Sequence, residues 1–309
     1  MSAAASTTSS RGALLHGLWW AARPYQWPKN VIVFAALAFS AGDAWTASDP
    51  SSWGPLLRDA AGLFVAWCLV ASATYLVNDI RDREADRHHP RKQSRPIASG
   101  AVTVQHASLL AAVLAVAGLG LAGALDWSAA AVLAAYFLVM VGYSCGLKSV
   151  AVLDIFILST GLVARAVSGG LVIGVTISPW LYVCTSFGAL LVATSKRWAE
   201  SRQLGEAAML HRRALGQYST EVLGQMVVIS AAASLIAYAV YTIESEHVPA
   251  NGAMALTVPF AGFGLFRYLL LLSGPRKTDA PDRILFTDIP ILVATAAFAV
   301  TAVTVLLLT

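Results

Sequence analysis

The sequence predicts an all-α polytopic membrane bundle of about nine transmembrane helices, and three observations predict it. Hydrophobic residues make up 57% of the 309 positions and charged residues only 12%, with a mean hydropathy of +0.67. A soluble domain carries about twice that share of charge. The apolar residues fall in long blocks and not in amphipathic stripes, so the helices are apolar on nearly every face, as a bilayer requires. The basic residues gather in alternate loops between those blocks, the asymmetry that orients membrane helices.

Taking about 20 apolar residues per crossing, the spans run over 31–47, 56–77, 104–124, 127–145, 151–173, 178–195, 222–243, 252–272 and 288–308. The first is the weakest, because Ser40, Gly42 and Asp43 dilute its end. Residues 1–20 read as a disordered tail, Ser-, Ala- and Thr-rich over Met1 to Gly12. No apolar run follows before Arg23 and Pro24, so they do not read as a secretory signal. Residues 21–309 form a single transmembrane domain.

Of the 21 Lys and Arg residues, all but Arg58 and the intramembrane Arg165 lie on one side. They precede the first span (Arg11, Arg23, Lys29), follow the second, fourth and sixth, or lie around the end of the eighth (Arg267, Arg276, Lys277, Arg283). The positive-inside rule places the N-terminus and these loops in the cytoplasm and, with nine spans, Thr309 outside a cell (plasma or inner) membrane. Topology and anionic ligands thus explain the pI near 9.0, and nucleic acid is not expected as a partner. Cys68, Cys145 and Cys184 lie in apolar stretches without CxxC spacing and read as small lipophilic residues.

The chemistry gathers after the second span, in Asn78-Asp79-Ile-Arg-Asp82-Arg-Glu84-Ala-Asp86. At about 100° per residue, Asn78, Asp79, Asp82 and Asp86 fall within an arc of roughly 100° on one helix face, and Glu84 falls outside it. Three carboxylates and an amide so phased repel one another unless a cation joins them. Hard oxygen ligands suit Mg²⁺, with Mn²⁺ as a substitute, shared with substrate phosphates. The alternative is a solvated helix end neutralised by Arg81, Arg83 and Arg87. The loop continues to Arg95-Pro-Ile-Ala-Ser-Gly100, where Arg95 offers a phosphate clamp. His88 and His89 read as solvent-facing.

The Asn-Asp-x-x-Asp-x-x-x-Asp string, the Arg-Pro-Ile-Ala-Ser-Gly stretch and the opening Arg23-Pro-Tyr-Gln-Trp-Pro-Lys29-Asn30 resemble the UbiA superfamily of intramembrane prenyltransferases from residue 20 onward. Aromatic prenyltransferases of that superfamily carry a second aspartate-rich motif after the sixth span. Here the segment reads Lys196-Arg197-Trp-Ala-Glu200. With Tyr143-Ser-x-Gly-Leu-Lys148, Asp154 and Arg165-Ala-x-x-Gly-Gly, it is similar to the decaprenyl-phosphate phosphoribosyltransferase branch.

That resemblance implies an Mg²⁺-dependent catalytic domain moving 5-phosphoribosyl from phosphoribosyl pyrophosphate to a polyprenyl monophosphate. It would release pyrophosphate and feed lipid-linked arabinose and cell-wall glycan precursors. Asp79, Asp82 and Asp86, with Asn78, are then expected to hold the metal on the leaving pyrophosphate. Lys148, Lys196 and Arg197 would hold a second phosphate, with Asp154 at the ribose. Lys29, Arg95, Tyr143, Arg165 and Glu200 complete the expected substrate contacts. Membrane lipids are the surroundings, and a homo-oligomer stays open. Asp154 and Arg165, eleven residues apart within one span, share a helix face, and ionisable groups there are costly and usually functional. The competing readings are an aromatic polyprenyltransferase, opposed by the missing second acidic motif, and a transporter, opposed by a charge cluster at the cytoplasmic rim instead of mid-membrane.

Overall fold

The computed structural model describes residues 3–41, 44–46, 48–89, 92–204, 214–246, 248–274 and 281–308. Gly42, Asp43, Arg91, Arg212, Arg213, Arg276, Lys277 and Thr309 lie outside them. The described chain is helical throughout: α1 (Ala3–Ala22), α2 (Ala35–Phe39), α3 (Pro50–Arg87), α4 (Val104–Leu125), α5 (Trp127–Cys145), α6 (Leu153–Val172), α7 (Pro179–Leu204), α8 (Thr220–Glu244), α9 (Val258–Ser273), α10 (Pro281–Thr287) and α11 (Ile289–Leu308). Among the described residues seven helical segments, with Ala253–Ser273 taken as one, are long and apolar enough to cross a membrane. The chain is a multi-pass membrane protein. α7 covers the sixth expected span and runs on through Lys196 to Leu204.

Helix starts follow local chemistry. Asp49 caps α3 by accepting from Ser51 N at 2.9 Å, and Pro50 fills a first position where its missing N–H costs nothing. Thr103, Asp126 and Ser219 cap α4, α5 and α8 in the same way. α3 has 38 residues, which at about 1.5 Å per residue reach roughly 57 Å. A hydrocarbon core is only about 30 Å thick, so the turns from Asn78 onward stand beyond it. That overhang positions the site.

The first expected span departs from a plain helix. Residues Pro24–Phe34 wind as a 3-10 segment around Pro28, followed by the five-residue α2. Proline lacks an N–H and interrupts the α-helical ladder. The segment is instead fixed from both sides. Trp27 Nε1 donates to Ser72 Oγ at 3.0 Å and Asn30 Nδ2 to Cys68 Sγ at 3.2 Å. On α6, a Cβ at Gly169 would fall 2.1 Å from the Val33 carbonyl oxygen, so only glycine admits this approach. Val33, Leu63, Trp67, Val70, Leu133 and Tyr136 close the core around it.

The tail also differs from the expectation of disorder. α1 is helical, and Leu14, Leu18 and Ala21, at helical spacing, pack against Leu76, Ile97, Val102 and Ala107. The polar start of the tail masked that stripe. The three cysteines are free thiols.

Candidate active site

The overhanging end of α3 presents its acids on two edges. On one, Asn78 Oδ1 accepts from Ser144 Oγ at 3.4 Å, and Asp82 pairs with Lys148. On the other, both Asp79 oxygens accept from Arg23 Nη2, at 2.6 and 2.9 Å. Arg95 Nη1 reaches Asp79 at 3.0 Å and Asp86 at 2.6 Å, with Lys92 3.9 Å from Asp86. Asp79 and Asp86 are two turns apart and nearly in register, so a single guanidinium spans them.

The four groups therefore do not converge on one point as expected. Among the described residues no three Asp, Glu, His or Cys side chains stand close enough to hold a metal ion. The reason is angular: an arc of roughly 100° faces α5 at one border and the N-terminal segment with the 92–103 loop at the other. Glu84 is exposed and pairs with Arg83 and Arg87, off the face as its spacing requires. His88 is exposed too. The loop is held down by Arg87 Nε donating to the Ala98 carbonyl at 3.1 Å and by buried Ile97, Ala98 and Val102.

Burial alone would lower the pKa of the Arg23 guanidinium, but the paired Asp79 carboxylate outweighs it and holds it above its ordinary value. Arg23 also lies 5.1 Å from the Tyr75 ring centroid. Its backbone is left-handed, φ 54°, and the only other non-glycine residue in that region among those described is Val152, φ 67°. Such conformations cost on the order of 1–3 kcal/mol and persist where surroundings over-determine them. Both flank site residues.

Val152 leads into the second cluster, where its N–H donates to the Tyr218 hydroxyl. Tyr218 Oη in turn donates to Asp154 Oδ1 at 3.0 Å, and Arg197 Nε donates to Asp154 Oδ2 at 2.7 Å. Arg197 Nη1 meets Glu200 at 2.9 Å and Nη2 donates to Tyr143 Oη at 3.3 Å. Asp154 and Arg197 are buried. Burial raises the Tyr218 hydroxyl to about 12, so it keeps its proton for Asp154 at neutral pH. Adjacent residues of α5 connect the clusters, Ser144 to Asn78 and Tyr143 to Arg197.

Arg165 stands apart. Its Nε donates to Asn30 Oδ1 at 2.6 Å and Nη1 to the Gly161 carbonyl. Its guanidinium lies 4.4 Å from the Trp67 ring centroid and 5.2 Å from that of Tyr136. It fastens the 3-10 segment to α6, because α6 turns its N-terminal end, with Asp154, to α7 and its middle to the 3-10 segment. Lys29 is exposed on that segment and Lys196 half-buried beside Arg197. Sequence reasoning missed Arg23 as a site residue, although it opens the quoted Arg-Pro string. It also missed Ser144 and Tyr218, the latter 64 residues from Asp154 with no local signal.

Residues 31–289 match the model of the UbiA prenyltransferase family. The chain is 35% identical over 288 residues to a decaprenyl-phosphate phosphoribosyltransferase of Mycolicibacterium smegmatis, covering 88% of each. It is 36% identical over 282 residues to that of Corynebacterium glutamicum, covering 89% of this chain and 82% of the relative. A solved UbiA homologue from Archaeoglobus fulgidus, bound to GPP and Mg²⁺, shares the fold with a TM-score of 0.70 at 17% identity, over 94% of this chain and 99% of that one. Motif, fold and relatives agree across nearly the whole length, and the chain belongs to the UbiA prenyltransferase family.

Proposed function

We propose that this protein transfers the 5-phosphoribosyl group of phosphoribosyl pyrophosphate to a polyprenyl phosphate, decaprenyl phosphate by analogy with the relatives. The observation that carries the reading is the segment after α7's apolar part. Where a second acidic motif would grip a second metal, this segment carries Lys196 and Arg197, and the buried Arg197 pairs with Asp154 and Glu200 and donates to Tyr143. Near-full-length similarity to enzymes of that name supports it.

In this reaction an oxygen of the lipid phosphate bonds to ribose C1, and the C1–O bond to pyrophosphate breaks with its electron pair leaving on pyrophosphate. The nucleophile is already ionised at neutral pH, so no general base is needed. The oxygen-only donors at the end of α3 fit a hard divalent ion. Asn78 and Asp82 share one edge and would hold it, whereas Asp86 stands on the other edge, paired with Arg95. Mg²⁺ or Mn²⁺ bound there supplies charge neutralisation for the leaving pyrophosphate. Lys148, already paired with Asp82, adds a cation at that edge. Both Asp154 oxygens are engaged by Arg197 and Tyr218, so Asp154 acts by holding those two groups in place.

The same reading puts the protein in the cell membrane, with the N-terminus and both clusters cytoplasmic and the C-terminus outside. The test is purified protein in nanodiscs with labelled phosphoribosyl pyrophosphate, decaprenyl phosphate and Mg²⁺. Phosphoribosyl lipid and equimolar pyrophosphate are expected. Prenylation of 4-hydroxybenzoate from a prenyl diphosphate, with no phosphoribosyl lipid, would refute the reading in favour of an aromatic prenyltransferase.

A further inference from the structure

Arg23 and Arg95 approach the same oxygen of Asp79, at 2.6 and 3.0 Å. Among the described residues Arg23 engages its protein hydrogen-bond partners through Nη2 alone and Arg95 through Nη1 alone. The Nε and remaining Nη of each are left as donors, and a guanidinium offers five N–H groups in a fixed fork. Both side chains line a cavity of about 570 Å³ between α1 and the 92–103 loop, whose other polar walls are His16, Trp20, Tyr25, Asp79, Ser94 and Ser99. Its lining carries two fixed positive charges against one negative. Arg197 offers the contrast: Nε, Nη1 and Nη2 are all taken by protein partners, so it has least to give an incoming anion.

The donor geometry fits one class of ligand. Guanidinium forks match phosphate oxygens, and the space exceeds what a bare phosphate needs. Arg23 reaches this position through a left-handed backbone turn between α1 and the 3-10 segment, a conformation that persists where function or packing demands it.

We propose that this cavity binds a phosphate monoester, with Arg23 and Arg95 as its cationic clamp and Asp79 as the brace that fixes both guanidinium planes. Identifying the ester as a substrate rests on the proposed function; the binding itself does not. Two substrate groups share this chemistry, the 5-phosphate of the donor and the phosphate of the lipid acceptor. The assignment moves the second phosphate away from Lys196 and Arg197 and takes Asp79 out of the metal set.

The experiment measures equilibrium binding of ribose 5-phosphate and of farnesyl phosphate to full-length protein in nanodiscs, in EDTA so that no divalent ion contributes. One probe is expected to bind wild type and to bind Arg23→Gln and Arg95→Gln about tenfold or more weakly, the scale of a lost charge-assisted contact. Ser94→Trp fills the cavity from an exposed loop position and is expected to reproduce the loss without disturbing the ion pairs. Dependence of ribose 5-phosphate binding identifies the donor's phosphate, and dependence of farnesyl phosphate binding the acceptor's. If neither probe binds wild type, or all three variants bind both probes as wild type does, the assignment is overturned. A wild type that shows the expected binding pattern but makes no phosphoribosyl lipid refutes the activity and leaves the phosphate site standing.

Discussion

Asp82 and Glu84 are two residues apart and meet different fates. Asp82 pairs with Lys148 across to the segment after α5, whereas Glu84 faces solvent between Arg83 and Arg87. Asp82→Ala is expected to abolish turnover in folded protein and to raise the Mg²⁺ concentration needed for any residual rate, and Glu84→Ala to stay within about threefold of wild type. Titrating activity against Mg²⁺ for both variants checks this, and equal losses would refute the two-edge description. Arg197 supports a second expectation. Removing one partner of a buried ion pair costs about 3–5 kcal/mol, so Arg197→Gln and Asp154→Asn should each lower thermal stability. The double variant should lose much less than the sum, because neither charge is left alone. Additive losses in a thermal-shift cycle would show the pair to be uncoupled. Phasing along one helix made the acids visible in the sequence. Their partners were hidden because Arg23 is 56 residues from Asp79 and Tyr218 64 from Asp154, and local periodicity carries no information about which segments meet.

The 3-10 segment is where sequence and structure diverge most, and its anchors explain why. A hydropathy window sees Val31 to Ala47 as a weak span; it cannot see that Pro28 breaks the helix or that Gly169 of α6 leaves room for the Val33 carbonyl. Arg165, read as a substrate contact, is the side-chain tie between the same two elements. Gly169→Ala places a methyl group 2.1 Å from the Val33 oxygen, and backbone cannot yield as a flexible side chain does. The variant is expected to unfold at a temperature several degrees lower and to lose activity with it. Gly120→Ala, whose new methyl would meet nothing within 4 Å, is the control. Equal behaviour of the two in detergent would show that the segment does not depend on this contact. By contrast the long spans were legible because twenty apolar residues admit few structures in a bilayer.

At the scale of the whole molecule, one unbroken helix carries both lipid-facing turns and site. α3 runs from Pro50 to Arg87, and its acids sit on the overhang. The Asp154–Arg197–Tyr218 cluster is borne by α6, α7 and the segment before α8. The heights of the two clusters above the membrane are thus set by different helices, each seeking its own match between apolar length and hydrocarbon thickness. Tilt is the cheap response to such mismatch, and tilting a long rod displaces its tip more than it displaces a short one. Bilayer thickness then becomes a control on catalysis. Turnover in nanodiscs of short-, medium- and long-chain phosphatidylcholine should pass through a maximum, with kcat changing more than the affinity for the water-soluble donor. A rate indifferent to acyl length would mean that contacts between the clusters, Tyr143 and Ser144 foremost, lock their relative height against the membrane.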